Sequence, residues 1–291
     1  MSVRSKTENC DHTGFSLARV KLSQNLLPSG LTDDPMPTDG FFHNLGAPLE
    51  SVGRTDEARE VVAEARMEGK MKLTVFAATG GIGRQILEQA VAAGHDVTAV
   101  VRNPKKLSRG VRIVTVDLAA ADSAALESAV RGADAVLSGL GSRSASDVGV
   151  AWQGTRAIVQ AMKATNVRRI VVVSAAPIGT VPSPGRPKPP KHDPGDGFFM
   201  RNLFSPLIKA ALRKHYADLA LMEDILRDSG LDWTIVRPPR LTDKPLTGTY
   251  RTAYGQNLRR GLFISRADVA HLMLRVLEQP ETIKQTIGIA Y

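Results

Sequence analysis

The stretch KLTVFAATGGIGRQILEQA, Lys72–Ala90, decides the fold. A short apolar run ends at Ala77 and Ala78, glycines follow at Gly80, Gly81 and Gly83, and a helical pattern comes next. Strand, tight turn and helix in that order make the turn that holds a dinucleotide pyrophosphate. Small residues let the backbone come close, and the helix N-terminus offers unpaired N–H groups and the positive end of its dipole. The candidate contacts are Thr79, Gly80, Gly81, Ile82, Gly83 and Arg84. Ala77 stands where a first glycine is expected. It is small enough to end the strand, but an alanine excludes a glycine-only φ.

The same rhythm continues outward. Short β-branched runs (KLTVFA, DVTAVV, VRIVTV, DAVLSGL, RRIVVVS, DWTIVRP) alternate with helical segments (RQILEQAVAAG, SAALESAVRGA, GVAWQGTRAIVQAMKATN, ADLALMEDILRDSG). Apolar runs without alternation belong to strands buried on both faces, hence to a parallel sheet. Strands separated by helices make right-handed βαβ units, so the fold class is doubly wound α/β, a Rossmann-type sheet. Gly94, Gly132 and Gly230 each fall between a helix and the next strand, as helix stops do. Ser265 and Asp268 form an N-capping pair for the last helix.

In an open parallel sheet the ligand sits at the carboxyl ends of the strands, so each strand end is read for chemistry. The second run ends VVRNPKKL, with no acidic residue for a ribose 2′-hydroxyl. Arg102, with Lys106 or Lys105 as a second cation, suits a 2′-phosphate and therefore NADP(H). The alternative is a solvated basic turn. The third ends VTVDLAA, where Asp117 and Leu118 border the adenine; Asp117 as a cap of the next helix is the other reading, which Asp122 or Ser123 would also fill. The fourth ends with Gly139, Leu140 and Gly141, small enough for close backbone approach beneath the nicotinamide ribose. The fifth puts Ser174 at the sheet edge beside the nicotinamide. The segment 177–214 breaks the rhythm with a Pro- and Gly-rich stretch followed by Phe198, Phe199, Met200 and Phe204, and reads as a substrate-side lid or as a plain insertion.

Bulk properties narrow the partners. The first 70 residues carry 8 basic and 11 acidic side chains and the rest 30 and 18, so the domain is strongly basic. The bases are scattered, without long runs or interleaved aromatics, which suits a phosphate-bearing small molecule rather than nucleic acid. One cysteine, Cys10, excludes an internal disulfide and fits a reducing compartment. There is no basic-then-apolar leader and no apolar run near the roughly 18 residues of a membrane helix, so a soluble, cytoplasmic protein is expected, a monomer or weak homodimer with no membrane partner. Residues 1–55 lack sustained periodicity, and 55–68 could make one short helix. Residues 1–70 therefore read as a largely disordered extension and 71–291 as the domain. His95 and His271 have no metal-ligand spacing, and Trp152 and Trp233 read as packing residues.

Together the ATGGIG turn, VVRNPKKL, VTVDL, GTRAIVQAMKATNVRRIVVVS, SGLDWTIVRPPRLTDKPLTGTY and ISRADVAHLMLRVL resemble the atypical short-chain dehydrogenase/reductase proteins with an NAD(P)H-binding domain. The likeness is closest to the flavin reductase/biliverdin-IXβ reductase branch and covers residues 71–291. It implies a Rossmann fold and NADPH-dependent reduction. Three departures stand out. The family's turn begins with glycine, here Ala77. The superfamily's Tyr-x-x-x-Lys pair is broken, because Ala220 follows Tyr216. Ala175 and Arg240 hold the places where the branch has a serine and a histidine. A ketone needs a proton donor for its developing alkoxide, whereas a flavin or quinone delocalises the incoming charge. The expected activity is therefore hydride transfer from NADPH to a small planar acceptor, a flavin foremost, with quinone and tetrapyrrole also in view. Ser174 and Arg240 are the candidate catalytic residues; a surface or lid salt bridge is the other reading of Arg240. Two other functions compete: a non-catalytic NADP sensor of the NmrA-like type, and a sugar-nucleotide epimerase or dehydratase.

Overall fold

Each apolar run becomes a strand and each helical pattern a helix. In the computed structural model the order is β1 (Lys72–Phe76), α1 (Gly81–Ala92), β2 (Asp96–Val101), β3 (Arg112–Thr115), α2 (Ser123–Val130), β4 (Ala135–Ser138), α3 (Val150–Ala164) and β5 (Arg169–Val173). Then come α4 (Arg213–Asp228), β6 (Asp232–Arg237), β7 (Arg240–Thr242), β8 (Arg251–Tyr254), β9 (Phe263–Ser265), α5 (Arg266–Arg275) and β10 (Gln285–Ala290). The structure describes residues 69–104, 107, 111–118, 122–141, 147–196 and 212–291. The expectations for the extension before residue 69, for Lys105 and Lys106, and for Phe198, Phe199, Met200 and Phe204 lie outside them.

Among the described residues the main sheet runs β3-β2-β1-β4-β5-β6-β10-β8. Every pair is parallel except β8, which lies antiparallel on β10. Burial on both faces accounts for the unalternating runs of β1, β2, β4, β5 and β6; β3, at the edge, is mostly exposed. In β4, Val136 faces a core shared with α2, α3 and α4, while Ala135 and Leu137 face one shared with α1 and α5. Helices on both faces make the sheet doubly wound, as expected. The three helix-stop glycines all adopt left-handed angles, with φ of 86° at Gly94, 74° at Gly132 and 72° at Gly230. Asp122 caps α2, its carboxylate accepting from the Ala125 N–H at 3.1 Å. Ser265 caps α5 and hydrogen-bonds Asp268, the pair read from the sequence.

Strand order reverses at the boundary of β1 and β4, and this switch point positions the site. There the Gly139 N–H donates to the Phe76 carbonyl at 3.2 Å, closing the carboxyl ends of the two strands onto each other. Two features lie beyond the six strands read from the sequence. β10 and β8 extend the sheet past β6, and β7 pairs with β9 in a separate parallel ribbon. Among the described residues no helix is long and apolar enough to cross a membrane.

Candidate cofactor site

The turn after β1 is built by backbone contact. Ala77 adopts φ 57°, the left-handed region. This angle is open to alanine, at a strain of about 1–2 kcal/mol, so the turn does not call for a glycine-only φ here. The Gly80 N–H then donates to the Ala77 carbonyl at 2.7 Å, and α1 starts one residue later. No side chain caps this helix and no acidic residue lies in its first turn. Its leading N–H groups therefore keep their donors, and the dipole its positive end, for an external anion.

Glycine is required at two places by packing. A Cβ on Gly83 would stand 2.7 Å from the carbonyl carbon of Ala77 and closer still to its oxygen. A Cβ on Gly139 would stand 2.9 Å from the Gly83 nitrogen. The ends of β1 and β4 and the first turn of α1 thus meet backbone to backbone. Among the described residues a Cβ on Gly141 would meet nothing within 4 Å. An uncapped helix end over a side-chain-free strand edge fits a dinucleotide pyrophosphate.

The other predicted residues divide. Thr79 is half-buried, Gly80 and Gly83 are buried in the turn, and Gly81 is exposed, while Ile82 turns into the core. Arg84, read as a pyrophosphate contact, is exposed on the first turn of α1, and its guanidinium donates to Glu88 at 2.7 Å, one turn along the helix. That hydrogen bond and charge raise the Arg84 pKa further. Arg102 is exposed directly after β2, and Asp117 is exposed after β3. Leu118 and Leu140 pack side by side against Gly154 of α3, where a Cβ would lie 3.3 Å and 2.9 Å from their respective methyl carbons. Lys106 lies outside the described residues.

Ser174 follows β5, its N–H bonded to the Val236 carbonyl at 2.8 Å. Its hydroxyl donates to Glu223 of α4 at 2.7 Å. Glu223 is fully buried and pairs with Arg237 at the end of β6 and with Arg227 at 2.5 Å. Burial pushes the Glu223 carboxyl up, but the charges of Arg237 and Arg227 and the bonds from Arg237 and Ser174 outweigh it, leaving the group below its ordinary value. A Ser174 proton committed to this carboxylate leaves the oxygen an acceptor toward the sheet edge, not a proton donor. Glu223 and Arg237 were not among the residues singled out from the sequence.

The same helix anchors the start of the segment after β5. Asp224 accepts from the Ser183 hydroxyl at 3.0 Å and the Gly185 N–H at 2.9 Å. Arg240, the other candidate catalytic residue, lies just beyond the sixth strand. It opens β7, three residues beyond β6, and its guanidinium stands 5.7 Å above the Phe263 ring. Tyr216 is buried in the core beneath α4, and burial raises its pKa, so it is a packing residue. His95 accepts from the Met71 N–H at 3.2 Å and His271 meets the Tyr250 hydroxyl at 2.7 Å. Among the described residues no acidic, cysteine and histidine cluster suits a metal.

Residues 77–280 match the family model described as NAD(P)H-binding, and the chain belongs to that family. It is similar to a Bacillus subtilis protein named as an uncharacterized sugar epimerase, at 28% identity over 221 residues, 73% of this chain and 90% of the relative. Among solved structures it resembles a Streptococcus pneumoniae protein named as a candidate NADH-flavin reductase, at 28% identity and TM-score 0.59, covering 76% of this chain and 99% of that one. An anaerobilin reductase of Escherichia coli O157:H7 shares the fold, at 24% identity and TM-score 0.57, over 75% of this chain and 96% of that one. The chain is thus an NAD(P)H-binding protein of Rossmann fold with reductases among its structural relatives.

Proposed function

We propose that the protein is an NADPH-dependent oxidoreductase that passes hydride to a planar acceptor, a flavin foremost. One observation carries this reading: beside the cofactor turn, neither Tyr216 nor Ser174, the hydroxyl groups weighed as donors among the described residues, has a proton free to give. Tyr216 is buried in the core, Ala220 stands where a lysine would lower its pKa, and the Ser174 proton is held by Glu223. An acceptor that needs a proton delivered in step with hydride is poorly served there. A flavin spreads the incoming charge over its rings and takes its proton from solvent.

The residues divide by task. The N–H groups of Gly81 and Gly83 hold the pyrophosphate, with Thr79, Gly80 and Ile82 shaping the turn. Arg102 faces the 2′-phosphate, and Lys106 is the proposed second cation. Asp117 and Leu118 border the adenine, and Gly139, Leu140 and Gly141 lie under the nicotinamide ribose. Ser174 accepts a hydrogen bond from the nicotinamide side. Arg240, braced on Phe263, offers positive charge to an electron-rich acceptor. The bound cofactor supplies the hydride; the chain supplies orientation and a basic surround.

An acceptor screen tests the reading: NADPH oxidation followed with FMN, riboflavin, a quinone, a tetrapyrrole and a ketose nucleotide. Flavin turnover is expected to lead. Tight NADPH binding with every acceptor at background would favour the sensor function instead, and conversion of a sugar nucleotide in the presence of NADP with no net change in NADPH would favour the epimerase class.

A further inference from the structure

At the mouth of the cofactor turn stands a cation that the glycine motif does not include. Arg266 is the first residue of α5, which packs beside α1. A Cβ on Gly81 would lie 2.7 Å from both Cδ and Nε of Arg266, so the arginine stem lies directly across the first residue of α1. Its guanidinium reaches Asp243 at 2.5 Å. Asp243 follows β7 and Arg266 follows β9, and the paired register of Thr242 with Ser265 brings the two together.

The surroundings of this pair are unequal. The Arg266 side chain is 30% exposed, with its stem fixed by packing, whereas the Asp243 side chain is 88% exposed. An ion pair with so solvated a partner adds little to stability. A guanidinium held over an uncapped helix N-terminus, by contrast, adds its charge and forked donors to the same anion that the helix attracts. Gly81 is the residue that leaves room for it.

We propose that Arg266 is a pyrophosphate ligand of the cofactor site and that Asp243 is its resting counter-ion, exchanged for the pyrophosphate when the dinucleotide binds. The inference rests on the cofactor reading of the Gly80–Gly83 turn and adds to it a residue far away in the chain. It makes binding a competition: the carboxylate holds the arginine in place in the free protein, and the diphosphate, with more charge and more acceptors, displaces it.

The test titrates NADPH, NADH and 2′-AMP against the full-length protein by fluorescence and calorimetry. Arg266→Met keeps the apolar stem over Gly81 and removes the guanidinium. Loss of one charge-assisted contact weakens binding on the order of 10- to 100-fold. The loss is expected equally for NADPH and NADH, which share the pyrophosphate, and is expected to be absent for 2′-AMP, which lacks it. Arg266→Lys is expected to recover part of the affinity. Asp243→Asn is expected to tighten NADPH about 2- to 5-fold at low salt by removing the competitor, and to do nothing in the Arg266→Met background. Unchanged NADPH affinity in Arg266→Met overturns the proposal, as does equal weakening of 2′-AMP, which marks a structural role. Weaker binding in Asp243→Asn overturns the exchange. A wild-type protein that binds neither dinucleotide overturns the cofactor reading itself and this proposal with it.

Discussion

Gly83→Ala tests the backbone cradle at its tightest point. The new methyl carbon would lie 2.7 Å from the Ala77 carbonyl carbon and 3.2 Å from the Ala78 nitrogen, closer than atoms in ordinary contact. Both neighbours are backbone, so no side chain can swing aside. Restoring a contact of about 3.5 Å moves the start of α1 by roughly 1 Å away from β1. Forced overpacking costs about 1–3 kcal/mol. Alanine in a helix is favoured over glycine by about 1 kcal/mol, which opposes that cost. The clash involves two rigid backbones, so the upper part of the range applies, and the net expectation is a loss of about 1–2 kcal/mol. Cofactor affinity falls further, because the same shift displaces the N–H groups of the turn. Urea unfolding gives the first quantity and NADPH titration the second. A variant more stable than wild type by about 1 kcal/mol, with NADPH binding intact, would show that α1 does not rest on Ala77 and would refute the cradle.

Three further expectations follow from named contacts. Ala77→Val should lose about 2 kcal/mol, because a β-branched residue is poorly tolerated at φ 57°; Ala77→Gly should stay within about 1 kcal/mol of wild type, relief of strain being set against backbone entropy. A valine variant as stable as wild type in chemical denaturation would mean that residue 77 is not left-handed. Glu223 has its carboxyl pKa depressed in the folded protein, so its stabilisation is complete above the unfolded value of about 4.3 and is lost as pH falls through the lower folded value. Glu223→Gln, which leaves Arg237 and Arg227 without their counter-ion, should cost about 3–5 kcal/mol at neutral pH, and the gap to wild type should narrow in melts taken from pH 5 down to pH 3. Arg102→Glu should weaken NADPH by tenfold or more while NADH changes little; equal losses for the two cofactors would remove Arg102 from the 2′-phosphate.

Five of the strands from β1 to β6 were legible because burial on both faces writes itself as apolar runs, while β3, mostly exposed at one edge, was read from its β-branched run. The other edge was not legible. β8, RTAY, is mostly exposed, and β10 is half-buried at its start, so neither carries the apolar signature of an inner strand. The turn was legible from its glycines, yet the reason for Gly83 was visible only once β1 and α1 were in contact. At Ala77, identity excluded only a glycine-only angle, and the left-handed angle it takes became visible with the turn itself. Arg84 and Arg240 were read from position in the chain, whereas their side chains answer to Glu88 and Phe263, partners set by a helical turn and by the β7–β9 pairing. A signal for the missed pair did exist. Glu223 falls on the apolar stripe of α4 with Leu219, Met222 and Leu226, and Arg237 ends an otherwise apolar strand. A charge on each of two buried faces calls for a partner, and each is the other's. Arg266 carried no such signal, because its neighbour Gly81 lies 185 positions earlier in the chain.

In the proposed reaction hydride passes from NADPH to a flavin without a protein acid. Anaerobic stopped-flow mixing of the NADPH-loaded protein with FMN tests this most directly, with nicotinamide absorbance and flavin absorbance followed together. The two are expected to decay in step, one flavin reduced per NADPH oxidised, and Ser174→Ala is expected to retain most of the rate because its proton is not the one transferred. Bound NADPH that persists beside oxidised FMN would contradict the proposed reaction.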